Sequence, residues 1–257
     1  MRRKIFAGNW KMNYTVKETR EFFSAIEGKI PAAKSGCEFQ LYVPALSLTI
    51  ALDLGKKSGI TIGAQNVHWE TKGAFTGEVS GPMVKEIGVN QVLVGHSERR
   101  QHFGETNTTV AKRCSSLLKQ GFNVLVCIGE TRAEREAGKT NTVLRQQLMA
   151  LFHEGEHHCG SYLGKSLHVA YEPVWAIGTG LTATPEQAEE AHQEIRTVLT
   201  KSVSEEASKA TSILYGGSVT PANFAELLKC ENIDGGLVGG ASLKPQDWLA
   251  LAQILQS

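Results

Sequence analysis

Neither charge sign dominates this chain of 257 residues: 27 Lys and Arg stand against 26 Asp and Glu, a formal net charge of +1. Such a balance leaves no global electrostatic footprint for nucleic acid or an acidic membrane, so an anionic ligand has to be held by local geometry. Cysteine is sparse as well. Cys37, Cys114, Cys127, Cys159 and Cys230 are odd in number, widely spaced and without a CxxC pair. That argues against a disulfide framework and for reduced thiols in a cytoplasmic setting. No apolar run approaches the roughly 20 residues of a membrane span. The basic start Arg2-Arg3-Lys4 is followed only by Ile5-Phe6-Ala7-Gly8 before Asn9, too short for the apolar core of a secretion signal. Asn13-Tyr14-Thr15 and Asn107-Thr108-Thr109 match the glycosylation sequon, which carries no weight without secretion. Linkers, low-complexity breaks and obvious repeats are missing too, so residues 1–257 read as a single domain.

What is present is an even alternation of short apolar runs and helical patterns. Strand-like runs sit near 5–10, 39–43, 60–64, 91–95, 122–128, 167–171, 212–215 and 234–238. Several, such as Val124-Leu125-Val126-Cys127-Ile128, lack polar alternation, as parallel strands buried on both faces do. Between them, Phe22, Phe23, Ile26 and Ile30 share one helical face. Leu144, Leu148 and Leu151 make a second stripe, and Ala188, Ala191, Ile195 and Leu199 a third. Thr184-Pro185 reads as a helix cap and first turn, with Gln187 placed to complete a capping box, and Thr220-Pro221 repeats the Thr-Pro start. About eight strand-then-helix units in this length favour a closed (β/α)8 barrel, class α/β, over an open doubly wound sheet. Two stretches exceed ordinary connections: 66–79, and the segment after Glu172.

In such a barrel the chemistry sits where strands end. Glu172 closes the buried run Leu167-His168-Val169-Ala170-Tyr171 and opens a Gly-rich loop through Gly178 and Gly180. A carboxylate at the junction of a dry strand and a closable loop suits a base of tuned pKa, whose basicity a dry pocket raises. Other strand ends offer Asn9-Trp10-Lys11, His96-Ser97-Glu98-Arg99 and Gly129-Glu130. The last two strands end in Gly216-Gly217-Ser218 and Gly239-Gly240-Ala241-Ser242, each just before an expected helix start. One Gly-Gly turn is commonly just a tight turn. Two, after the seventh and eighth strands, match the common phosphate site of this architecture. His96 alone would read as a packed histidine; its place at a strand end opposite Glu172 makes it a candidate. Lys11 alone would read as a surface lysine, and gains weight because an anionic substrate needs a cation there.

Three motifs read as decoys. His153-Glu154-Gly155-Glu156-His157 fits a zinc pattern, yet Gly155 interrupts it and no third ligand is evident. Gly178-Thr179-Gly180-Leu181-Thr182-Ala183 fits a dinucleotide fingerprint but follows the sixth strand rather than the first. Ala133 to Thr140 misses a P-loop because Ala133 replaces the first glycine.

The segments GNWKMN, GAQN, GAFTGE, GHSERR, CIGE, AYEPVWAIGTG, YGGSV and DGGLVGGASL, in this order from Gly8 to beyond Ser242, resemble the triosephosphate isomerase family. The resemblance implies a (β/α)8 barrel that interconverts dihydroxyacetone phosphate and glyceraldehyde 3-phosphate, without metal or organic cofactor. The roles it carries are those of the family, a well-studied case of pKa tuning and lid closure, and are not read from spacing. Glu172 is then the base and His96 a neutral electrophile. Asn9 and Lys11 bind substrate, with Lys11 supplying charge. Gly178, Ser218, Gly239 and Gly240 give amides to the phosphate, and Leu237 covers the reacting carbons. Tyr215 holds the closed lid, whose arms are Pro173-Val174-Trp175 and Leu181-Thr182-Ala183, and Glu130 holds Trp175 when the lid is open. Glu98 is a partner behind the site, and Arg99 supports the subunit contact. The family forms homodimers, so loop 66–79 is expected to insert beside the partner's site, with Thr76 near the partner's Asn9 to Lys11 region. Leu181 and Gly236 depart from the family pattern at places that carry no chemistry. Two other readings stand beside this one: another sugar-phosphate barrel enzyme, and a non-catalytic binding protein on an old enzyme barrel.

Overall fold

The computed structural model describes residues 2–153, 158–177 and 182–257. Eight parallel strands follow one another around a closed barrel: β1 Lys4–Asn9, β2 Cys37–Val43, β3 Thr61–Ala64, β4 Gln91–Val94, β5 Asn123–Ile128, β6 Leu167–Tyr171, β7 Ile213–Tyr215 and β8 Gly235–Val238. Closure is visible in β1, which pairs with β2 (Phe6 opposite Phe39) and with β8 (Phe6 opposite Gly236). The outer helices are α1 Val16–Ile26, α2 Leu48–Ser58, α3 Gly81–Glu86, α4 Ser97–His102, α5 Asn107–Lys119, α6 Arg132–Glu136, α7 Thr140–His153, α8 Pro185–Ser202, α9 Glu205–Ala210, α10 Phe224–Leu228 and α11 Pro245–Leu255.

Apolar runs without alternation follow from this geometry, because both faces of each strand are buried. Ile5, Ala7, Tyr42, Leu93, Leu125, Cys127, Ala170, Leu214 and Leu237 pack together inside the barrel. The intervening side chains, Phe6, Leu41, Val92, Val124 and Val126, join the helix stripes in the outer core. Phe6 packs on Trp248 of α11 with ring centroids 4.3 Å apart. Each such buried aliphatic or aromatic group contributes about 1.5–3 kcal/mol.

Two helix expectations change. α1 ends at Ile26, so Ile30 lies beyond the helix and packs on the core from the following turn. Thr220-Pro221 opens a turn: the Phe224 N–H donates to the Thr220 carbonyl at 3.1 Å, and α10 starts only at Phe224. Asn223, at the N-cap position of α10, turns its Oδ1 away from the helix to accept the Thr220 N–H at 2.9 Å and stabilises that turn. Thr184-Pro185 does start α8, with the Thr184–Gln187 capping box complete.

The P-loop-like run Ala133 to Thr140 begins inside α6 and ends at the first residue of α7, so it is not the loop between a strand and a helix that a nucleotide site needs. Residues 154–157 of the zinc-like pattern and 178–181 of the dinucleotide-like one lie outside the described residues.

Candidate active site

Every strand-end side chain of interest points to one end of the barrel. Asn9, Lys11, His96, Glu172, Ser218, Gly239 and Gly240 line a single cavity of roughly 280 Å³, together with Ile177, Gly216, Gly217 and Leu237. Gly178 lies outside the described residues.

β1 hands the chain to Lys11 through a tight turn. Lys11 has a left-handed backbone, φ 54°, a conformation costing on the order of 1 kcal/mol for a non-glycine residue. The turn is held from both sides. Asn9 Oδ1 accepts the Lys11 N–H at 3.0 Å, and the Gln65 amide donates to the Lys11 carbonyl at 2.8 Å and the Tyr42 carbonyl at 3.2 Å. Thus aimed, the Lys11 ammonium meets Glu98 Oε1 at 2.6 Å. Gln65 directly follows β3; applying the strand-end rule to β3 as to the other strands would have singled it out.

His96 follows β4 and caps α4. The Glu98 N–H donates to its Nδ1 at 3.3 Å, which places the ring proton of the neutral imidazole on Nε2. Nε2 lies 2.9 Å from Glu172 Oε1, and Glu172 Oε2 accepts the Ser97 N–H at 2.9 Å. Glu172 is 2% exposed and His96 6%. Behind the carboxylate, Gly129 is obligatory, because a Cβ there would lie 1.8 Å from the Glu172 carbonyl oxygen. That close approach is what lets β5 and β6 present Glu172 to the cavity.

Burial is the largest influence on either group, pushing Glu172 up and His96 down. Their mutual contact reverses both. His96, the Ser97 amide and Lys11 hold Glu172 below the usual carboxylate range, while Glu172 and Glu98 hold His96 above its usual value. The sequence reading expected a carboxylate raised by a dry pocket. The carboxylate is buried, but a donor sits on it.

The phosphate-class turns differ from each other. Gly239-Gly240 leads straight into a short 3-10 turn, Gly240–Leu243, closed by the Ser242 N–H donating to the Gly239 carbonyl at 2.8 Å. A Cβ on Gly240 would meet nothing within 4 Å, so its backbone faces open cavity. Gly216-Gly217-Ser218 leads into a loop and not, as expected, directly into a helix.

After β5, Glu130 is fully buried, and its Oε1 accepts from Trp175 Nε1 at 2.9 Å, Tyr171 at 3.1 Å and Arg135 at 3.3 Å. The Arg135 guanidinium also stacks over the Trp175 ring at 4.5 Å. Burial pushes the Tyr215 hydroxyl up to about 12, against the pull of the Ala183 backbone amide. The hydroxyl is therefore near Ala183, although it makes no hydrogen bond of normal geometry among the described residues. Cys127 is buried and its thiol is pushed well up by burial, as a structural thiol is.

Loop 66–79 is ordered by its own rings: His68 stacks on Trp69 at 4.1 Å and on Phe75 at 4.3 Å. Phe75, Met12, Leu46 and Phe103 are exposed apolar groups. A groove bounded by Lys11, Met12, Gln65, Glu98, Arg99 and Phe103 opens beside the main cavity. Arg99 pairs with the buried Glu105 at 2.5 Å. Among the described residues no helix is long and apolar enough to cross a membrane, and no group of three His, Cys, Asp or Glu is placed to hold a metal ion.

Comparison with known proteins adds a family. A family model described as triosephosphate isomerase matches residues 4–255. The triosephosphate isomerase of Acetivibrio thermocellus is 48% identical over 253 residues, covering 98% of both chains. That of Pelodictyon phaeoclathratiforme is 47% identical with the same coverage, and that of Paracidovorax citrulli 47% identical over 97% of both chains.

Proposed function

This chain belongs to the triosephosphate isomerase family and interconverts dihydroxyacetone phosphate and glyceraldehyde 3-phosphate, a step of glycolysis, and on that premise we propose the roles of its residues. Glu172 removes a proton from the carbon beside the substrate carbonyl and returns it to the neighbouring carbon. Between the two transfers the substrate is an enediol or enediolate. His96 donates its Nε2 proton in a hydrogen bond to whichever oxygen gains charge. Lys11 supplies positive charge and Asn9 orients its turn.

The observation that carries this reading is the buried contact between Glu172 Oε1 and His96 Nε2 at 2.9 Å, at the wall of the cavity that Lys11 enters. A carbonyl inserted between those atoms takes the histidine's hydrogen bond and removes a partner from the carboxylate. Burial then pushes Glu172 up, in the direction a base needs. The neutral, Nε2-protonated imidazole is a donor that does not leave a strong acid behind. The far end of the cavity, with Ser218, Gly239 and Gly240, receives the phosphate on backbone amides, and Gly178 joins it in the family's pattern. Closure of residues 173–183 over the phosphate would exclude water and protect an intermediate able to lose phosphate by elimination. The substrate supplies its own electrons, so no metal or organic cofactor is needed.

The fold's exposed apolar groups around loop 66–79 support a homodimer in which Thr76 reaches the partner's Lys11 region. Five free thiols suit a reducing, cytoplasmic setting.

The test is a coupled assay of the two triose phosphates, with chelator present, on wild type and Glu172→Asp. Retracting the carboxylate by one carbon should lower kcat by ~10²–10⁴. Near-normal turnover in the variant would remove Glu172 from the role of base, and no turnover from folded wild type would remove the isomerase reading itself.

A further inference from the structure

Arg100 lies behind the Glu172–His96 pair and, among the described residues, forms no ion pair with a carboxylate. Its Nε donates to the Gly95 carbonyl at 3.1 Å, and a terminal nitrogen donates to Asn107 Oδ1 at 2.8 Å. Both partners are neutral. Its neighbour Arg99, by contrast, is paired with Glu105 at 2.5 Å. A half-buried guanidinium held only by neutral acceptors keeps its field.

The place of the clamp matters. Gly95 directly follows β4, has φ 73°, and is the last residue before His96. A Cβ there would lie 3.0 Å from both Val110 methyl carbons and 3.3 Å from the Cys127 carbonyl. The turn that aims His96 is therefore a tight left-handed one, and Arg100 pins its carbonyl to the first residue of α5.

We propose that Arg100 is a positioning residue of the isomerase site: it fixes the turn that aims His96, and its unpaired charge keeps the Glu172–His96 pair as carboxylate and neutral imidazole. The proposal rests on the isomerase reading above. The groups that act on Glu172 are His96 and the Ser97 amide from the β4–α4 junction, Lys11 after β1, Cys127 of β5 and Arg100 of α4, with Glu98 acting on His96. Those in electrostatic reach of Arg100 are Cys127, Glu172, Glu105 and Cys114. Lys11 already meets Glu98 at 2.6 Å, so among these described cations Arg100 is the one without an adjacent carboxylate. Burial pulls its own pKa down and Glu172 is among the groups that push it back up. Such an interaction is reciprocal: the guanidinium favours the ionised Glu172.

The experiment compares the pH dependence of kcat/KM for wild type, Arg100→Gln, Arg100→Lys and Asn107→Asp. Arg100→Gln removes clamp and charge. It should lower kcat by about 10- to 100-fold with KM changed less than about threefold, and shift the acid limb upward by about half a unit or more. Arg100→Lys keeps the charge, so its acid limb stays near wild type while kcat recovers only in part. Asn107→Asp keeps the acceptor but places a negative charge against the guanidinium, at the first turn of α5 where helices accept acids. Its acid limb should rise with little loss of the clamp. If Arg100→Gln fails to fold, Asn107→Asp carries the test alone. An acid limb unmoved in Asn107→Asp overturns the proposal. Absent turnover in wild type overturns the isomerase reading, and this proposal with it.

Discussion

At the residue scale, the electrophile assignment makes a sharper demand than the base assignment, because a histidine that only packs would also be buried. Replacing His96 by Gln keeps a donor of similar reach but loses the fixed direction that the Glu98 N–H imposes through Nδ1 at 3.3 Å. If His96 acts on charge that develops only in the transition state, kcat should fall by about 10²-fold or more while phosphate-analogue binding changes little. A change confined to KM in steady-state kinetics would mean that the ring binds rather than polarises. The sequence exposed Glu172 and His96 because strand ends are countable, but it could not show which partner sits on which atom. Ser97 contributes a backbone N–H to Glu172 Oε2 at 2.9 Å, and a main-chain amide leaves no mark in the residue type. The sign of the Glu172 shift is hidden in the sequence for the same reason: burial is legible in Val169-Ala170-Tyr171, whereas a donor arriving from the β4–α4 junction is a matter of tertiary distance. Gln65 is legible in the sequence, since it occupies the strand-end position of β3.

At the element scale, the parallel strands were readable because burial on both faces removes polar alternation, and β5 shows this in five consecutive apolar residues. Helix starts were less readable. Thr-Pro begins α8 but only a turn before α10, because Asn223 offers the Thr220 N–H a side-chain acceptor and diverts the chain. Loop 66–79 is the element whose purpose the isolated chain leaves open. Its His68 packs between Trp69 and Phe75, and the Arg113 guanidinium covers the Trp69 ring, yet Phe75 is still exposed. A long loop that is internally ordered and externally apolar is built to be covered. If it docks beside a second copy's site, Thr76→Arg would bring a guanidinium against the partner's Lys11. Lys11 has Glu98 as its partner, so the added guanidinium would be an uncompensated cation in a closing interface, at a cost of several kcal/mol. Sedimentation at micromolar protein should then move from dimer to monomer, with turnover lowered by about tenfold or more because the groove beside Lys11 loses its cover. A wild-type chain that sediments as a monomer while fully active would rule out this use of the loop.

For the whole molecule, the buried histidines set the response to acid. Burial, against a modest opposing pull from the Asn232 carbonyl, lowers His192 to about 3, and burial with Arg3 lowers His168 to about 4. In the unfolded chain both titrate near 6.5. Between that value and pH 4 the unfolded state therefore carries protons that the folded state refuses, and stability falls as pH falls, at up to about 1.4 kcal/mol per unit for each histidine. His96 works the other way. Its raised value means that the folded state binds its proton more tightly, so its contribution is present below 6.5 and is lost as pH rises through its folded value. Glu172, held low, adds stability above the unfolded carboxylate range that disappears only in stronger acid. With two histidines against one, the net loss from pH 7 to pH 5 should be about 2–4 kcal/mol. Denaturant titrations at fixed protein concentration read it directly, with concentration held constant because dimerisation would couple to folding. His192→Phe, whose ring can occupy the same packed site beside Tyr171, should flatten the dependence by about one proton, even if its stability at pH 7 is lower. Equal midpoints at pH 5 and pH 7 in the wild-type protein would mean that these histidines accept protons in place, and that the interior around β6 and α8 is open to water on the timescale of folding.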